Sequence, residues 1–257
     1  MSDYKRIVVK IGTSTVCHEN GAPNLRRIEE ICRTLTDIKN SGCEIVLVTS
    51  GAIGVGTNKM QKKERPKSIS GRQAAAAIGQ CELMSIYDKY FLDYGTICGQ
   101  ILLTKDITEN PQGEKNVIST FKALFKLHAI PIVNENDSVA TEEIVYGDND
   151  TLSAVVAKYV EADLLILLTD TEGLYDKDPN KNKNAKIIHV VKDIDKVKTY
   201  SNGSNSKHGT GGMVTKISAA EIAKEANIPT IIASGKNPKI LYDILENKKV
   251  GTFFPVK

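Results

Sequence analysis

Short apolar segments alternate with longer amphipathic segments along this chain, and that alternation is the feature that most constrains its fold. Most of the short segments are apolar on both faces, as expected for strands of a parallel sheet that helices cover on both sides. The sequence predicts strands at 6–10, 45–48, 97–103, 130–133, 164–168, 187–191 and 230–233.

The amphipathic segments predict helices between these strands. The first begins after Asn24, the predicted N-cap, and places its apolar residues on one stripe. A sheet whose strands alternate with helices forms a helix–sheet–helix sandwich, and 257 residues suffice for one large α/β domain or at most two small ones. The other helices are predicted at about 71–90, 118–128, 152–159, 212–227 and 238–246, the last opened by Asn237-Pro238 as cap and first-turn proline.

Composition argues against several classes of function. The chain has 34 Lys and Arg against 31 Asp and Glu, a net charge of +3 that is too balanced to predict binding to nucleic acid or an anionic membrane. Its apolar runs are far shorter than the roughly 20 residues of a membrane span, and the N-terminal residues do not resemble a signal peptide. The five cysteines and four histidines are dispersed without disulfide or metal-ligand spacing, so we expect reduced thiols in a cytoplasmic protein.

Two polar segments interrupt the alternation. Residues 58–70 are basic, and residues 200–212 are small, polar and rich in glycine. Each segment is either a solvated surface loop or a lid over a binding site, and the sequence leaves both interpretations open.

Glycine-bearing turns follow the first two predicted strands, at 10–14 (Lys-Ile-Gly-Thr-Ser) and 49–54 (Thr-Ser-Gly-Ala-Ile-Gly). At the carboxyl ends of parallel strands, the backbone N–H groups of such turns can bind an anion. The alternative is a strand-to-helix connection that needs a positive φ angle. Neither turn is a P-loop, because no G-x-x-x-x-G-K-[ST] string occurs, and 54–56 lacks the third glycine of a dinucleotide fingerprint.

Further polar strings occur in the second half of the chain. Residues 134–137 read Asn-Glu-Asn-Asp after a predicted strand, and 147–150 read Gly-Asp-Asn-Asp at the start of a predicted helix. Asn149 or Asp150 can simply be an N-cap, yet amides and carboxylates together can also hold an amino acid and a metal-bound nucleotide. The segment 169–175 is either a nucleotide-contacting loop or a turn. Lys216 follows a glycine cluster that can form a phosphate cradle.

Together these strings resemble the amino acid kinase family. Within it, the resemblance is to enzymes that phosphorylate the γ-carboxylate of glutamate, and it covers nearly the whole chain in the family's order. It implies an α/β fold, a three-layer αβα sandwich around a mostly parallel sheet. We expect one domain over 1–257, which departs from the many such enzymes that carry a C-terminal PUA domain. The matching strings are 9–14, 48–53, 73–80, 134–137, 147–150, 168–175 and 209–216.

The resemblance also implies a role for individual residues. Lys10 and Lys216 would lie along the transferring phosphoryl group with Asp150 between them, and backbone amides near Gly12 and Gly51 would cradle that group. Glutamate would contact Ser50, Asn134, Asp137, Asp148 and Asn149. ATP would contact Lys10, Thr169, Asp170, Tyr175, Gly211, Gly212, Met213 and Lys216.

The implied activity is ATP-dependent phosphorylation of L-glutamate to L-glutamyl 5-phosphate, the first step of proline biosynthesis, with ATP and Mg²⁺ required. A carboxylate acceptor with a pKa of about 4.3 is already ionised, so the reaction needs positive charge rather than a general base. The resemblance further implies feedback inhibition by proline and a homodimer or homotetramer, with no nucleic-acid or membrane partner. No direct metal ligand is predicted.

Three alternatives remain open at this stage. A sibling kinase would act on N-acetylglutamate, aspartate, carbamate or UMP, although the strings 134–137 and 147–150 favour a free amino acid. A catalytically silent sensor would not need Lys10, Asp150 and Lys216 together. An RNA-binding protein is disfavoured by the balanced charge and by the small number of aromatic residues, nine Tyr, five Phe and no Trp.

Overall fold

A seven-stranded sheet forms the centre of the molecule. The computed structural model describes residues 4–139, 149–179, 181–201 and 212–256. The strand order is β3-β4-β2-β1-β5-β6-β7, in which β6 and β7 pair antiparallel and all other neighbours pair parallel. The strands are β1 Arg6–Ile11, β2 Glu44–Val48, β3 Cys98–Leu103, β4 Ile130–Glu135, β5 Leu164–Thr169, β6 Thr230–Ser234 and β7 Thr252–Phe254.

Helices cover both faces of this sheet. Alternate residues of β1 show the arrangement, because Val8 belongs to one apolar cluster and Ile7 and Val9 belong to the other. The first cluster lies under α6 to α9, and the second lies under α2, α4 and α10. The helices are α1 Thr13–Val16, α2 Leu25–Asn40, α3 Ala52–Lys59, α4 Ile69–Asp93, α5 Lys105–Glu109, α6 Pro111–Lys126, α7 Asn149–Tyr159, α8 Ile194–Ser201, α9 Met213–Glu225 and α10 Ile240–Leu245.

The αβα sandwich and six of the seven predicted strands are confirmed, with ends that shift by one or two residues. Asn24 is the N-cap of α2, where its side chain accepts a hydrogen bond from the backbone N–H of Arg27. None of the helices in the described ranges is both long and apolar enough to cross a membrane.

Several local predictions are wrong. Residues 187–191 form no strand; Ile187 and Val190 make only isolated bridges, because this segment runs beside the sheet edge. Asn237 and Pro238 lie in a turn, in which the Asn237 side chain accepts from the backbone of Lys239, so α10 begins later than predicted. His128 lies beyond α6 with a φ angle of +53°.

Two glycines allow α3 and α4 to cross with their backbones in contact. A Cβ atom on Gly56 would lie 1.8 Å from the carbonyl oxygen of Ala75, and one on Gly79 would lie 1.8 Å from that of Ala52. Real Cβ atoms do not approach backbone so closely, so any larger residue would push the helices apart. This crossing holds the segment after Gly79 against the carboxyl ends of the central strands.

Candidate active site

The polar residues predicted to act together lie at one edge of the sheet. The strands β4, β2, β1 and β5 are neighbours and run parallel, so their carboxyl ends meet there. That edge carries Lys10 in β1, Ser50 after β2, Asn134 in β4 and Thr169 at the end of β5. Crevices of open parallel sheets form at such an edge.

A buried carboxylate joins two lysines at this edge. Asp150, in the first turn of α7, is fully buried, and one of its oxygens lies 2.5 Å from Nζ of Lys10. Its other oxygen lies 3.0 Å from Nζ of Lys216, in the first turn of α9, and accepts a hydrogen bond from the Thr215 hydroxyl at 2.8 Å. Lys10 and Lys216 are 5% and 7% exposed, so three charged groups lie together with almost no exposure to solvent.

The electrostatics of the cluster keep Asp150 ionised. Burial alone would raise the pKa of Asp150, but the charges of Lys10 and Lys216, with hydrogen bonds from Lys10 and Thr215, outweigh it and lower that pKa to about 2. The cluster therefore carries two positive charges and one negative charge at neutral pH. Its surplus of one positive charge suits a site that receives an anion.

Gly51 is the N-cap of α3 and follows the end of β2. Its φ angle is +101°, and a Cβ atom there would lie 3.0 Å from both the Cys17 sulfur and a Val16 methyl carbon. A glycine is therefore needed for both conformation and space. Gly12 precedes α1 with an ordinary extended backbone, so the positive-φ interpretation applies to Gly51 and not to Gly12. A Cβ atom on Gly12 would lie 3.9 Å from Nζ of Lys10, which places this turn beside the lysine.

Three buried or half-buried amides form a chain next to the cluster. Nδ2 of Asn149 lies 2.6 Å from the carbonyl oxygen of Thr49, 2.9 Å from Oγ of Ser50 and 2.8 Å from Oδ1 of Asn134. Nδ2 of Asn134 donates in turn to Oε1 of Gln80, in α4, at 2.8 Å. The structure thus brings Ser50, Asn134 and Asn149 together as one polar group.

Asp137 lies beside a cavity that adjoins this amide chain. The cavity has a volume of about 440 Å³, and we call it the acceptor cavity. Burial raises the pKa of Asp137 to about 6, and the nearby charge of Arg65 opposes part of that rise. The cavity is lined by Ala52, Ala76, Ala77, Gln80, Cys81, Met84, Gln100, Leu102, Glu135, Asn136, Asp137 and Ser138.

The predicted nucleotide contacts lie around the ends of β5 and α9. Thr169 ends β5, its hydroxyl donates to Asp170 at 3.1 Å, and its carbonyl accepts from the backbone of Gly235 at 2.6 Å. Gly212 and Met213 begin α9, and Tyr175 follows β5, where its hydroxyl donates to Glu172 at 3.5 Å. Asp148, Gly211 and most of the 200–212 loop fall outside the described residues.

Sequence reasoning missed three polar contributors. Thr215 contacts Asp150 directly, Gln80 ends the amide chain, and Arg65 places its guanidinium near Gly54 and acts on Asp137. Gln80 stood within a matching string but received no role, because only the helix crossing shows what its amide meets. Arg65 belongs to the basic loop, whose positions 61–65 are exposed, as one of the two interpretations expects.

No group of three or more His, Cys, Asp or Glu among the described residues is arranged to hold a metal ion. Both carboxylate oxygens of Asp150 contact lysines in this arrangement.

Comparison with known proteins identifies relatives over the full length. The model of the amino acid kinase family matches residues 5–234. Glutamate 5-kinase of Clostridium perfringens is 48% identical over 262 aligned residues, which cover 100% of this chain and 97% of that protein. Glutamate 5-kinase of Listeria innocua is also 48% identical and covers 100% of this chain and 95% of that protein.

Solved structures with the same fold are more distant in sequence. Carbamate kinase from Giardia lamblia bound to AMP-PNP superposes with a TM-score of 0.70 at 16% identity and covers 99% of both chains. UMP kinase from Bacillus anthracis gives a TM-score of 0.69 at 14% identity, over 99% of this chain and 97% of the other. These likenesses concern the fold alone.

Proposed function

Because the chain belongs to the amino acid kinase family, we propose that it transfers the γ-phosphoryl group of ATP to the side-chain carboxylate of L-glutamate. The product is L-glutamyl 5-phosphate, so the reaction is the first step of proline biosynthesis. The choice of glutamate is supported by relatives named glutamate 5-kinase, 48% identical over the whole chain. Within the molecule, the observation that supports this proposal is the buried Lys10–Asp150–Lys216 cluster.

Charge, rather than proton transfer, is the main obstacle to this reaction. The acceptor carboxylate is ionised at neutral pH and must approach a polyanion. Lys10 and Lys216 offset that repulsion and stabilise the charge on the equatorial oxygens of the transferring group. Asp150 holds both ammonium groups in place from one buried position, and backbone N–H groups near Gly12 and Gly51 surround the same oxygens.

The acceptor lies in the cavity beside Asp137. The carboxylate of Asp137 pairs with the α-ammonium group of glutamate, and Ser50, Asn134 and Asn149 contact the same substrate. Asp148 is proposed as a further contact of glutamate. This arrangement is supported by the chain of contacts that links Ser50 to Asn149 and Asn134 at 2.8–2.9 Å, next to the cavity wall.

ATP occupies the edge between β5 and the start of α9, where its phosphates reach the two lysines. Mg²⁺ would accompany the nucleotide, and phosphate oxygens and water usually supply most of its ligands at such sites. When bound, the ion neutralises charge on the phosphates. The proposed contacts of ATP are Lys10, Thr169, Asp170, Tyr175, Gly211, Gly212, Met213 and Lys216.

The proposal also covers the cellular location, oligomeric state and regulation of the enzyme. We propose a cytoplasmic homodimer or homotetramer that is inhibited by proline, the end product of the pathway. Size measurement in solution and titration of the glutamate reaction with proline test these two properties separately from the reaction itself.

The deciding experiment measures ATP consumption by the purified protein with Mg²⁺ and separate acceptors: glutamate, N-acetylglutamate, aspartate, carbamate and UMP. Hydroxylamine is added to trap an acyl phosphate as its hydroxamate, and the Lys10→Ala variant serves as the matched blank. Hydroxamate formation with glutamate alone would support the proposal. Turnover only with another acceptor would transfer the function to a sibling kinase, and ATP binding without any turnover would favour a sensor.

A further inference from the structure

Gln80 is a buried side chain with an unsatisfied hydrogen-bond donor at the wall of the acceptor cavity. It lies in α4, is 8% exposed and lines the cavity together with Asp137. Its Nε2 atom is buried and makes no hydrogen bond with any described residue. A buried donor without a partner carries a free-energy penalty, so its presence needs an explanation.

The orientation of the Gln80 amide is set by its neighbours. Its Oε1 accepts from Nδ2 of Asn134 at 2.8 Å, and Oδ1 of Asn134 accepts from Asn149 at 2.8 Å and from the backbone of Glu135 at 2.9 Å. If the Gln80 amide turned over, its NH₂ group would face the NH₂ group of Asn134. Gln80 must therefore present its own NH₂ group away from the amide chain, as a donor.

The opposite end of the same chain presents an unsatisfied acceptor. Oδ1 of Asn149 is buried without a hydrogen-bond partner among the described residues, while its Nδ2 faces Thr49, Ser50 and Asn134. The chain of three amides thus ends in a donor at Gln80 and an acceptor at Asn149. A free α-amino acid carries the complementary pair, a carboxylate that accepts and an ammonium group that donates.

We propose that Gln80 is a specificity-determining residue that donates from Nε2 to the α-carboxylate of the acceptor amino acid. Oδ1 of Asn149 then accepts from the α-ammonium group of the same molecule, which also pairs with the carboxylate of Asp137. This inference rests on the proposed function, because it assigns the two ends of the same acceptor. Gln80 does not touch the reacting atoms; it turns the acceptor so that its side-chain carboxylate points toward Lys10 and Lys216.

The helix crossing supports this assignment. Gly79 lets α4 approach α3 to backbone contact, and Gln80 is the next residue along the helix. The backbone that carries Gln80 is therefore fixed by this contact. Ala76 and Ala77, one turn earlier, also line the cavity and leave room for a ligand because their side chains are small.

Two substitutions at Gln80 separate its donor from its structural contact. Gln80→Met keeps the approximate size but removes both polar atoms. Gln80→Glu keeps an oxygen for Asn134 and replaces the donor by an atom that repels a carboxylate. Gln112→Met, the same exchange at an exposed position of α6, is the matched control.

The first measurement is steady-state kinetics with the hydroxamate assay. A lost hydrogen bond to a charged group should raise the KM for glutamate about 10- to 100-fold in both Gln80 variants. The kcat should change less than about threefold and the KM for ATP should stay constant, because the lost contact serves ground state and transition state alike. Gln112→Met should match the wild type, and thermal unfolding of each variant checks that it is folded.

The second measurement distinguishes recognition from a merely structural role. The α-carboxamide analogue of glutamate keeps the reacting carboxylate, and its inhibition constant is compared with the KM for glutamate. The wild type should bind glutamate more tightly than the carboxamide analogue. In Gln80→Met this preference should shrink by about the same factor by which the KM for glutamate rises. The inference would be overturned if Gln80→Met weakened the binding of glutamate and of the carboxamide analogue equally, or if the KM for glutamate were unchanged in both variants. A wild type inactive on glutamate would overturn the proposed function as well.

Discussion

Asp150→Asn tests whether one buried carboxylate holds the two lysines of the site. The substitution keeps the shape of the side chain and removes its charge. In the wild type this carboxylate is fully buried and lies 2.5 Å from Lys10 and 3.0 Å from Lys216. Without it, two ammonium groups that are at most 7% exposed lose their common counter-charge and repel one another.

The expected loss of stability is several kcal/mol. Removing one partner of a buried ion pair typically costs about 3–5 kcal/mol, because a buried charge is left uncompensated. The pKa of Asp150 gives an independent figure. It falls from 3.8 to about 2 on folding, and at about 1.4 kcal/mol for each pKa unit this contributes about 2 kcal/mol. That contribution is fully present above about pH 5 and is lost as the pH falls toward 2, because the folded pKa is the lower one.

Urea unfolding at pH 7.5 and at lower pH values measures both effects. Asp150→Asn should lower the free energy of unfolding at pH 7.5, and its stability should depend less steeply on pH between about 5 and 2. The matched control is Asp243→Asn, which breaks the ion pair with Lys248 at 2.6 Å between side chains that are 40% and 55% exposed. Exposed pairs contribute about 0–1 kcal/mol, so this variant should remain close to the wild type. Equal stability of Asp150→Asn and the wild type would refute the electrostatic account of the cluster.

Three further predictions concern activity and packing. Lys10→Ala and Lys216→Ala should each lower kcat by about 10²–10³ in the hydroxamate assay, and near-normal turnover in either would remove that lysine from the mechanism. Because the pKa of Asp137 is about 6, kcat/KM for glutamate should fall as the pH drops below 6 and the carboxylate that pairs with the α-ammonium group is protonated. Asp137→Asn should lack this step, and an unchanged step would assign it to another group. Gly79→Ala should destabilise the fold by about 1–3 kcal/mol in urea unfolding, since its Cβ would lie 1.8 Å from the Ala52 carbonyl oxygen; wild-type stability would show that the crossing is not tight.

The layered architecture could be predicted because the strands of this sheet are buried on both faces. Segments such as 164–168 contain apolar residues without alternation, and the structure places them in the middle of a parallel sheet. The segment 187–191 has a similar composition but lies beside the edge, where it finds no continuous partner. Apolar content indicates burial, whereas strand pairing depends on which neighbours the rest of the chain supplies.

The sequence did not predict the short helices α1 and α3, for a related reason. The segments 10–14 and 49–54 were predicted as turns that bind an anion, but the helices α1 and α3 begin within them and contain little amphipathic pattern. Their conformation is fixed by tertiary contacts, such as the backbone crossing at Gly56 and Gly79. Part of the packing surface of α3 consists of main-chain atoms, which leave no periodic pattern in the sequence.

Lys10 could be predicted from the end of a strand, whereas the position of Asp150 between the two lysines was implied only by the resemblance to the family. Lys10, Asp150 and Lys216 are separated by more than 60 residues along the chain, and nothing in their spacing indicates that one carboxylate would serve both lysines. That pairing decides the net charge of the site, since three charged groups leave a surplus of a single positive charge. Such a site holds the lysines ready for phosphate, yet the full repulsion between two ammonium groups appears only when the carboxylate is removed. The same acid therefore links stability to catalysis, and Asp150→Asn should impair both.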